Sequence, residues 1–361
     1  MKTLYYHQPH TLLNRALRLL QTIIQRKGIL SLFTTLTILL LPLSVQGQTS
    51  NKILINSGWE MQDAAIISKE GMKDGWEMEN AAKVPQEGKV ISTTKYKPSG
   101  WYKATVPGTV LTTLVNNGVY PEPLYGENNR PEVIPEYLCH TDWWYRNEVM
   151  IPDSYKNKTI WLNFDGINYS ADIWVNGHRV GPIKGAFIRG NFDITSFVKP
   201  GQTAIIAVRI SPQPNTGVPF EHIMGTVGGP CGGVGRLDGP TFGCSNGWDW
   251  LSGIRDRNSG IWQDVFLSAT GHVLMKDPLI TSDLPLPRTD IASVTVQTTV
   301  QNTTGNVQKG IIKGSFDSIK FEKTIEIAPW RSLTFTFDPK DFAQLNIKNP
   351  KLWWPNGLGE Q

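Results

Sequence analysis

Hydrophobic and polar residues alternate with a period of two along much of the chain after Thr141. This alternation is typical of strands that bury one face. In the third of the four clearest runs, Asn176–Gly177 also provides the positive φ angles of a two-residue type I′ turn, which predicts a hairpin. A short strand is predicted at FDIT (192–195), between the third run and the fourth. The runs are DWWYRNEVMIP (142–152), TIWLNFDGI (159–167), ADIWVNGHRVG (171–181) and AIIAVRIS (204–211).

The 3.6-residue period of a helix stands out at one place in the chain that follows residue 47. Thr109 is suited to an N-cap, and Leu111, Leu114 and Val115 form one apolar face. Gly118 then supplies a C-terminal stop. The pattern predicts one short helix here, whereas residues 48–100 indicate an edge strand and loops.

A segment rich in Gly and Pro, residues 211–247, interrupts the strand pattern. A phosphate-binding loop is excluded because no Gly-Lys-Ser/Thr follows and no strand-to-helix junction surrounds it. Long loops in compact domains are commonly functional, so we expect this one to fold over a neighbouring site. It leads into GWDWLSGIRDRNSGIWQDVFL (247–267), where three tryptophans and five charged residues are followed by strand-like alternation.

A second series of alternating segments begins after Gly271. HVLMKDPLITSD (272–283) is interpreted as a lead-in, and ASVTVQTTVQN (292–302) as the first clear strand. The sequence therefore predicts an all-β fold: a jelly-roll β-sandwich over 48–271, then an immunoglobulin-like β-sandwich over 272–361 that is incomplete at its C-terminus. The other strands expected in the second unit are IIKGSF (311–316), FEKTIEI (321–327) and SLTFTF (332–337).

Residues 1–47 have the composition of a leader with a signal peptide. Arg26 and Lys27 precede an apolar run over 29–43, and small residues lie before a cleavage site ahead of Gln48. We expect export, to the periplasm or outside the cell. The alternative is an uncleaved membrane anchor, the one case in which a membrane would be a partner.

The net charge of +4 comes from that leader. Its five basic residues, when removed from the 35 of the chain, leave 30 against 31 acidic residues. A nearly neutral body gives no electrostatic support for a nucleic-acid partner.

The cysteines and histidines predict neither a metal site nor a cofactor. Cys231 and Cys244 flank one Gly-rich loop, where they either pair or remain thiols; Cys139 is the third cysteine. His178 and His222 have no partner at metal-ligand spacing.

Seven segments, in order, resemble the N-terminal half of glycoside hydrolase family 2. Within the family, GWDW followed by IRDRNSGIW is most similar to the β-mannosidase and mannosylglycoprotein endo-β-mannosidase branch, with exo-β-glucosaminidases as near neighbours. The segments are VPGTV (106–110), NNGVYPEPLYGENN (116–129), WWYRNEVMIP (143–152), LNFDGINYSADIWVNGHRVG (162–181), GAFIRGNFDIT (185–195), GIWQDVFL (260–267) and LWWPNGLGEQ (352–361).

The resemblance implies a retaining glycosidase whose two catalytic glutamates lie in a C-terminal (β/α)₈ barrel, about 5–5.5 Å apart. This chain has no counterpart of the barrel, so we assign no catalytic residue and expect it to be inactive alone. The barrel is the implied partner and a β-mannoside-like glycan the implied substrate. Asp249 and Trp250 match a pair that lines the sugar pocket, where a carboxylate accepts hydroxyl hydrogen bonds and an indole stacks on a pyranose.

Structural interpretations stand beside these functional ones. From the residues alone, Asp249 could simply pair with Arg255 or Arg257, and the run 255–258 is interpreted as a salt-bridged turn that holds the loop. For the whole chain, the alternatives are a stand-alone carbohydrate-binding protein and a non-functional gene fragment. Packing or interface roles are expected for Trp143, Trp144, Trp248, Trp262, Trp353 and Trp354, and solvated positions for Glu136, Asp142 and Glu148.

Overall fold

The computed structural model describes residues 52–67, 84–130, 132–216 and 254–359, together with the backbone of two short strands at 218–219 and 233–234. The predicted leader therefore lies outside the described residues. Within the described part, no helix has the length and apolar character needed to cross a bilayer.

The larger sheet of the first sandwich has six antiparallel strands in the order β3-β2-β4-β9-β6-β7. Its central strand β4 carries the alternation that the sequence predicts, with Trp143 and Tyr145 in the main core and Trp144 on the opposite face. The strands are β2 (Glu60–Asp63), β3 (Tyr102–Lys103), β4 (Trp143–Met150), β6 (Ser170–Val175), β7 (His178–Lys184) and β9 (Thr203–Ser211).

A four-stranded antiparallel sheet, in the order β1-β12-β5-β8, packs against the larger one. Alternate apolar residues of β5, β9 and β12, such as Leu162, Val208 and Leu267, lie in one core cluster between the sheets. The strands are β1 (Ile53–Leu54), β5 (Thr159–Phe164), β8 (Gly190–Asp193) and β12 (Val265–Thr270). A separate pair, β10 (Val218–Pro219) and β11 (Gly233–Val234), is antiparallel.

The predicted turn between β6 and β7 is present. Asn176 and Gly177 both have positive φ angles, 49° and 84°. Asn176 also fixes the turn to the neighbouring strand, since its Oδ1 accepts a hydrogen bond from the N–H of Ile205 at 2.8 Å.

Two helices with described bounds lie beside the first sandwich, and the sequence predicts one of these two. Helix α2 (Val110–Asn116) has the expected N-cap, in which the Thr109 side chain accepts a hydrogen bond from the Thr112 N–H. The prediction of only an edge strand and loops over 48–100 is wrong, because residues Val84–Ile91 form helix α1. It forms because Ile91 packs with Trp144 and Trp174 on the outer face of the larger sheet, and tertiary burial stabilises a helix that propensity does not favour.

The second sandwich follows after a two-residue connection. A four-stranded sheet has β14 paired with β13 on one side and with β17 and β18 on the other, and a hairpin of β15 and β16 forms the second sheet. The predicted lead-in, 272–283, is instead the edge strand β13, which contains a bulge between Lys276 and Leu279. The strands are β13 (Val273–Asp283), β14 (Ile291–Asn302), β15 (Gln308–Phe316), β16 (Ile319–Ile327), β17 (Ser332–Phe337) and β18 (Asn346–Lys348).

The all-β fold class is confirmed, and the tryptophan interpretations divide. Trp143 and Trp144 are buried as expected. Trp353 and Trp354 are 70% and 44% exposed, so the core alternative is wrong for both. They lie in an irregular segment that precedes the turn at 356–358 and belongs to no strand of the described residues.

Candidate functional site

The predicted sugar-contact residues Asp249 and Trp250 lie outside the described residues, as do Trp248, His222, Cys231 and Cys244. The structure does describe both flanks of their segment, which end at Thr216 on one side and begin at Ile254 on the other. The candidate site is therefore built from these flanks and from the residues that hold them.

Glu136, on a short 3₁₀ turn (Glu136–Cys139), binds two arginines at once. Its Oε1 lies 2.7 Å from Arg255 Nη1, and its Oε2 lies 2.7 Å from Arg257 Nη2. The side chains of Arg255 and Arg257 are only 1% and 11% exposed, so these ion pairs are little screened by water. We refer to Glu136, Arg255 and Arg257 as the arginine clamp.

The other guanidinium N–H groups of the clamp donate to backbone carbonyls on three separate segments. Arg255 Nε donates to the carbonyl of Asn129 at 2.8 Å, and Nη2 donates to the same oxygen. Arg257 Nε donates to Thr216 O at 2.7 Å, and its Nη1 donates to Ile254 O at 3.0 Å. The guanidinium of Arg257 therefore joins Thr216, on one flank, to Ile254, on the other.

The turn that presents these arginines has an unusual backbone. Arg257 and Asn258 have φ angles of 52° and 57°, in the left-handed region that disfavours most side chains. Asn168 compensates, because its Nδ2 donates to the carbonyls of Arg257 and Asn258 at 2.9 and 3.0 Å. The expected salt-bridged turn at 255–258 is present, although the carboxylate that bridges its arginines is Glu136, which the sequence does not assign to it.

Asp256 anchors the same turn to helix α2. Its fully buried carboxylate accepts hydrogen bonds from the backbone N–H groups of Leu111 at 2.7 Å and Asn258 at 2.9 Å. Burial raises the pKa of Asp256, although hydrogen bonds from Thr109, Leu111 and Asn258 oppose the shift. For Glu136, burial also acts to raise the pKa, but the hydrogen bonds and charges of Arg255 and Arg257 outweigh it and hold the pKa below its usual value.

Backbone contacts complete the attachment of the turn to the sandwich. Gly260 exchanges two hydrogen bonds with Asn168, and Gly108 N–H donates to Ile261 O at 2.8 Å. Gly260 has a φ angle of 150°, and a Cβ there would lie 2.6 Å from the Gly108 carbonyl oxygen. Only glycine allows these two segments to approach so closely.

Trp262 has the packing role that the sequence predicts. Its Nε1 donates to Ala186 O at 2.9 Å, and its ring meets Phe187 edge-on at 5.7 Å. A Cβ on Gly166 would lie 2.8 Å from the indole nitrogen, so the backbone at Gly166 covers one side of the ring.

One group of described residues has the composition of a metal site, but its chemistry favours ion pairing. Ligand atoms of Glu136, Cys139 and His140 lie within 4.8 Å of one another. Both Glu136 oxygens already accept guanidinium N–H groups, and burial raises the pKa of the Cys139 thiol. A protonated thiol and an arginine-bound carboxylate are poor ligands for a cation.

The remaining carboxylates that the sequence raises as candidates are also paired with arginines. Asp142 Oδ2 lies 2.6 Å from Arg209, and Glu148 Oε1 lies 2.8 Å from the buried Arg146. These contacts favour structural ion pairs at Asp142 and Glu148.

Comparison with known proteins agrees with this architecture. A family model described as the glycosyl hydrolase 2 galactose-binding domain-like region matches residues 76–263. The chain is 30% identical over 275 residues to an exo-β-D-glucosaminidase of Streptomyces avermitilis, and 33% identical over 296 residues to a mannosylglycoprotein endo-β-mannosidase of Lilium longiflorum. These alignments cover 75% and 74% of this chain but only 27% and 29% of the relatives.

Solved structures show the same fold at lower identity. The Amycolatopsis orientalis exo-chitosanase matches with a TM-score of 0.63 and 24% identity, over 85% of this chain and 30% of that one. A β-D-mannosidase from Dictyoglomus thermophilum gives 0.55 and 22%, over 86% of this chain and 33% of that one. Since the family model spans more than half of the residues, the chain belongs to glycoside hydrolase family 2 and carries that family's galactose-binding-like domain.

Proposed function

We propose that this chain is the non-catalytic N-terminal portion of a retaining glycoside hydrolase that acts on β-mannosides or related β-linked glycans. The observation that carries the proposal is the family match over residues 76–263, together with relatives named as β-glucosaminidase and β-mannosidase enzymes. The chain spans less than a third of the length of these relatives. We therefore assign bond cleavage to a barrel domain in the remainder, and a shaping role to this portion.

The proposed contribution to the pocket is the segment that carries Asp249 and Trp250. A carboxylate can accept hydrogen bonds from two adjacent sugar hydroxyls, and an indole can stack on the apolar face of a pyranose. The arginine clamp supports this role because it fixes both described flanks of the segment to one frame, and precise contacts need rigid supports.

We also propose that the chain is exported, to the periplasm or the cell exterior. The support is the sequence of residues 1–47, in which an apolar run follows Arg26 and Lys27. Fractionation of cells that express the full chain, with N-terminal sequencing of the product, would test this. Recovery of the protein in the cytoplasm with its first 47 residues intact would contradict export.

The pocket role is tested in a chimera in which this chain replaces the matching part of the Lilium longiflorum relative. We expect Asp249→Ala to lower kcat/KM on a β-mannoside by about a hundredfold, because the lost hydrogen bonds would tighten in the transition state. We expect Trp250→Ala to act mainly through KM, since stacking stabilises bound substrate and transition state alike.

Matched controls are Asp341→Ala and Trp330→Ala, at exposed positions of the second sandwich. Wild-type kcat/KM in Asp249→Ala would refute the substrate contact. Glycan binding by the unfused chain, measured by calorimetry with β-linked mannose and glucosamine oligosaccharides, would instead favour a stand-alone binding protein.

A further inference from the structure

The arginine clamp gathers four separate parts of the chain around one carboxylate. Glu136 contributes the negative charge, and the two guanidinium groups reach the carbonyls of Asn129, Thr216 and Ile254. Neither Thr216 nor Ile254 belongs to a strand of either main sheet. Their positions therefore depend on the clamp more than on the sheet ladders.

We propose that Glu136 is a positioning residue: through Arg255 and Arg257 it fixes the two points at which residues 217–253 leave and rejoin the sandwich. The inference rests on the proposed function in one respect, namely that this segment carries the sugar contacts Asp249 and Trp250. Glu136 itself touches no substrate in this proposal.

The electrostatics explain why one carboxylate controls both flanks. Arg255 and Arg257 are two buried or nearly buried cations whose guanidinium groups lie on the two oxygens of the same acid. Removing the acid withdraws the carboxylate that both arginines share and leaves two like charges close together in a poorly hydrated place, which is unfavourable. The guanidinium groups would then move toward water, and the carbonyls of Thr216 and Ile254 would lose their hydrogen bonds from Arg257 Nε and Nη1.

The effect of losing Glu136 should be local, because an independent anchor remains. The Asp256 carboxylate accepts from the N–H of Leu111, which ties the turn to helix α2, and from the N–H of Asn258 within the turn. Gly260 also remains hydrogen-bonded to Asn168. Glu136 is also not a member of the core cluster between the two sheets. Its loss should therefore change the flanks of the segment more than it changes the sandwich.

The test is hydrogen exchange, followed by mass spectrometry, on the full chain carrying Glu136→Gln. Because a hydrogen bond to a charged group is lost on each side, we expect about tenfold faster exchange in peptides that contain Thr216 and residues 254–257. Exchange in β4 and β9 should remain at the wild-type rate. Glu136→Asp, which keeps the charge, should restore part of the protection.

Glu148→Gln is the matched control. Glu148 also accepts from a buried arginine, Arg146, but it lies on β4 and contacts neither flank. Unchanged flank exchange in Glu136→Gln would overturn the proposal, as would an equal increase in Glu148→Gln. Because no sugar takes part in the measurement, its outcome is separate from that of the substrate-contact experiment.

A second measurement covers the case in which Glu136→Gln does not fold. The arginines hold the pKa of Glu136 below its usual value. The clamp therefore stabilises the folded state fully when the pH is above that usual pKa, and this stabilisation is lost as the pH falls through the lowered pKa of the folded state. Flank protection in the otherwise wild-type chain should therefore persist through the pH range in which an ordinary glutamate is protonated.

Among the described residues, the Cys139 thiol and the His140 imidazole also lie beside Glu136. The profile is therefore recorded in a His140→Gln background, in which the cysteine remains protonated throughout. Loss of protection already at the pH of an ordinary glutamate would contradict the proposed control by the arginines.

Discussion

The two sandwiches of this chain enclose their apolar side chains to different degrees. In the first, the main core lies between two sheets, and helix α1 covers a further apolar cluster on the outer face of the larger sheet. In the second, Met275 and Ile280 of β13 and Leu333 of β17 lie opposite inward-facing valines of β14, yet all three side chains are exposed, and that of Ile280 is 67% exposed. In the first sandwich, added elements such as α1 bury the second face of the larger sheet as well. The second sandwich lacks that cover in its described part and is partly open.

Buried charge follows the same division. In the described part of the chain, the fully buried charged side chains Arg146, Arg255 and Asp256 all lie in the first sandwich. The second buries the neutral Thr298 and Asn302, and its ion pairs, such as Lys309–Glu326, are exposed. A tightly closed region can hold a charge in place, whereas an open one leaves charges in water, where they contribute little.

Leucine truncation should separate the two regions most strongly. Leu162→Ala, in the core between the sheets, should lower the free energy of unfolding by about 3 kcal/mol through lost burial and a residual cavity. Leu279→Ala, at a half-exposed position of β13, should lower it by less than about 1 kcal/mol. Urea denaturation, followed by both tryptophan fluorescence and circular dichroism, gives both values; equal losses would contradict the comparison.

Replacing glycine by alanine should destabilise the first sandwich at Gly88 but leave the second unchanged or more stable at Gly310. A Cβ at Gly88 would overlap the Trp174 indole, so Gly88→Ala should cost about 1–3 kcal/mol despite the better helix propensity of alanine. A Cβ at Gly310, on β15, would meet no atom within 4 Å, so Gly310→Ala should be neutral or stabilise by about 0.5 kcal/mol. Thermal melts of the two variants test this, and a stabilised Gly88→Ala would show that α1 is loosely seated.

The smallest expected difference is in the pH dependence of stability. The folded pKa of Asp256 is raised by burial, so the folded state binds its proton more readily than the unfolded state does. Relative to Asp256→Asn, the wild type should therefore become more stable as the pH falls from the raised pKa of the folded state to the ordinary pKa of the unfolded state. Below the ordinary pKa, the difference in stability should stay constant.

Asp290→Asn is the matched control in the second sandwich. The hydrogen bond from Arg288 lowers the pKa of Asp290, so its contribution has the opposite sign and is lost on acidification. Because both side chains of that pair are exposed, the change in stability should be close to the limit of measurement. Urea titrations across the acid range would contradict the assignment if Asp256→Asn followed the wild type at every pH.

Local chemistry accounts for the elements that the sequence predicts correctly. The Thr109 cap, the Asn176–Gly177 turn and the alternation at 204–210 each depend on residues within a few positions of one another. The resemblance to glycoside hydrolase family 2 likewise depends on short contiguous segments, and the family match confirms it.

The features that the sequence does not predict depend on contacts over long distances in the chain. Glu136 lies 119 residues before Arg255, and its own surroundings resemble a solvated loop. Helix α1 contains Pro85 and Gly88, two residues that obscure a helical pattern in the sequence. Its stability comes from packing against Trp144 of β4 and Trp174 of β6. The residues that would signal the sugar contacts directly, Asp249 and Trp250, remain a sequence-based prediction.

The hydrogen bonds of Arg257 to Thr216 and Ile254 have a consequence for how sequences of this kind can diverge. The two ends of the intervening segment are already held together, so lengthening it adds only the entropy of a longer closed loop, about 0.6 kcal/mol for each doubling. Insertions and deletions between these residues should thus be tolerated more easily than anywhere in the flanking strands. Evolution could then vary the length of this segment among relatives while Glu136, Arg255 and Arg257 stay unchanged.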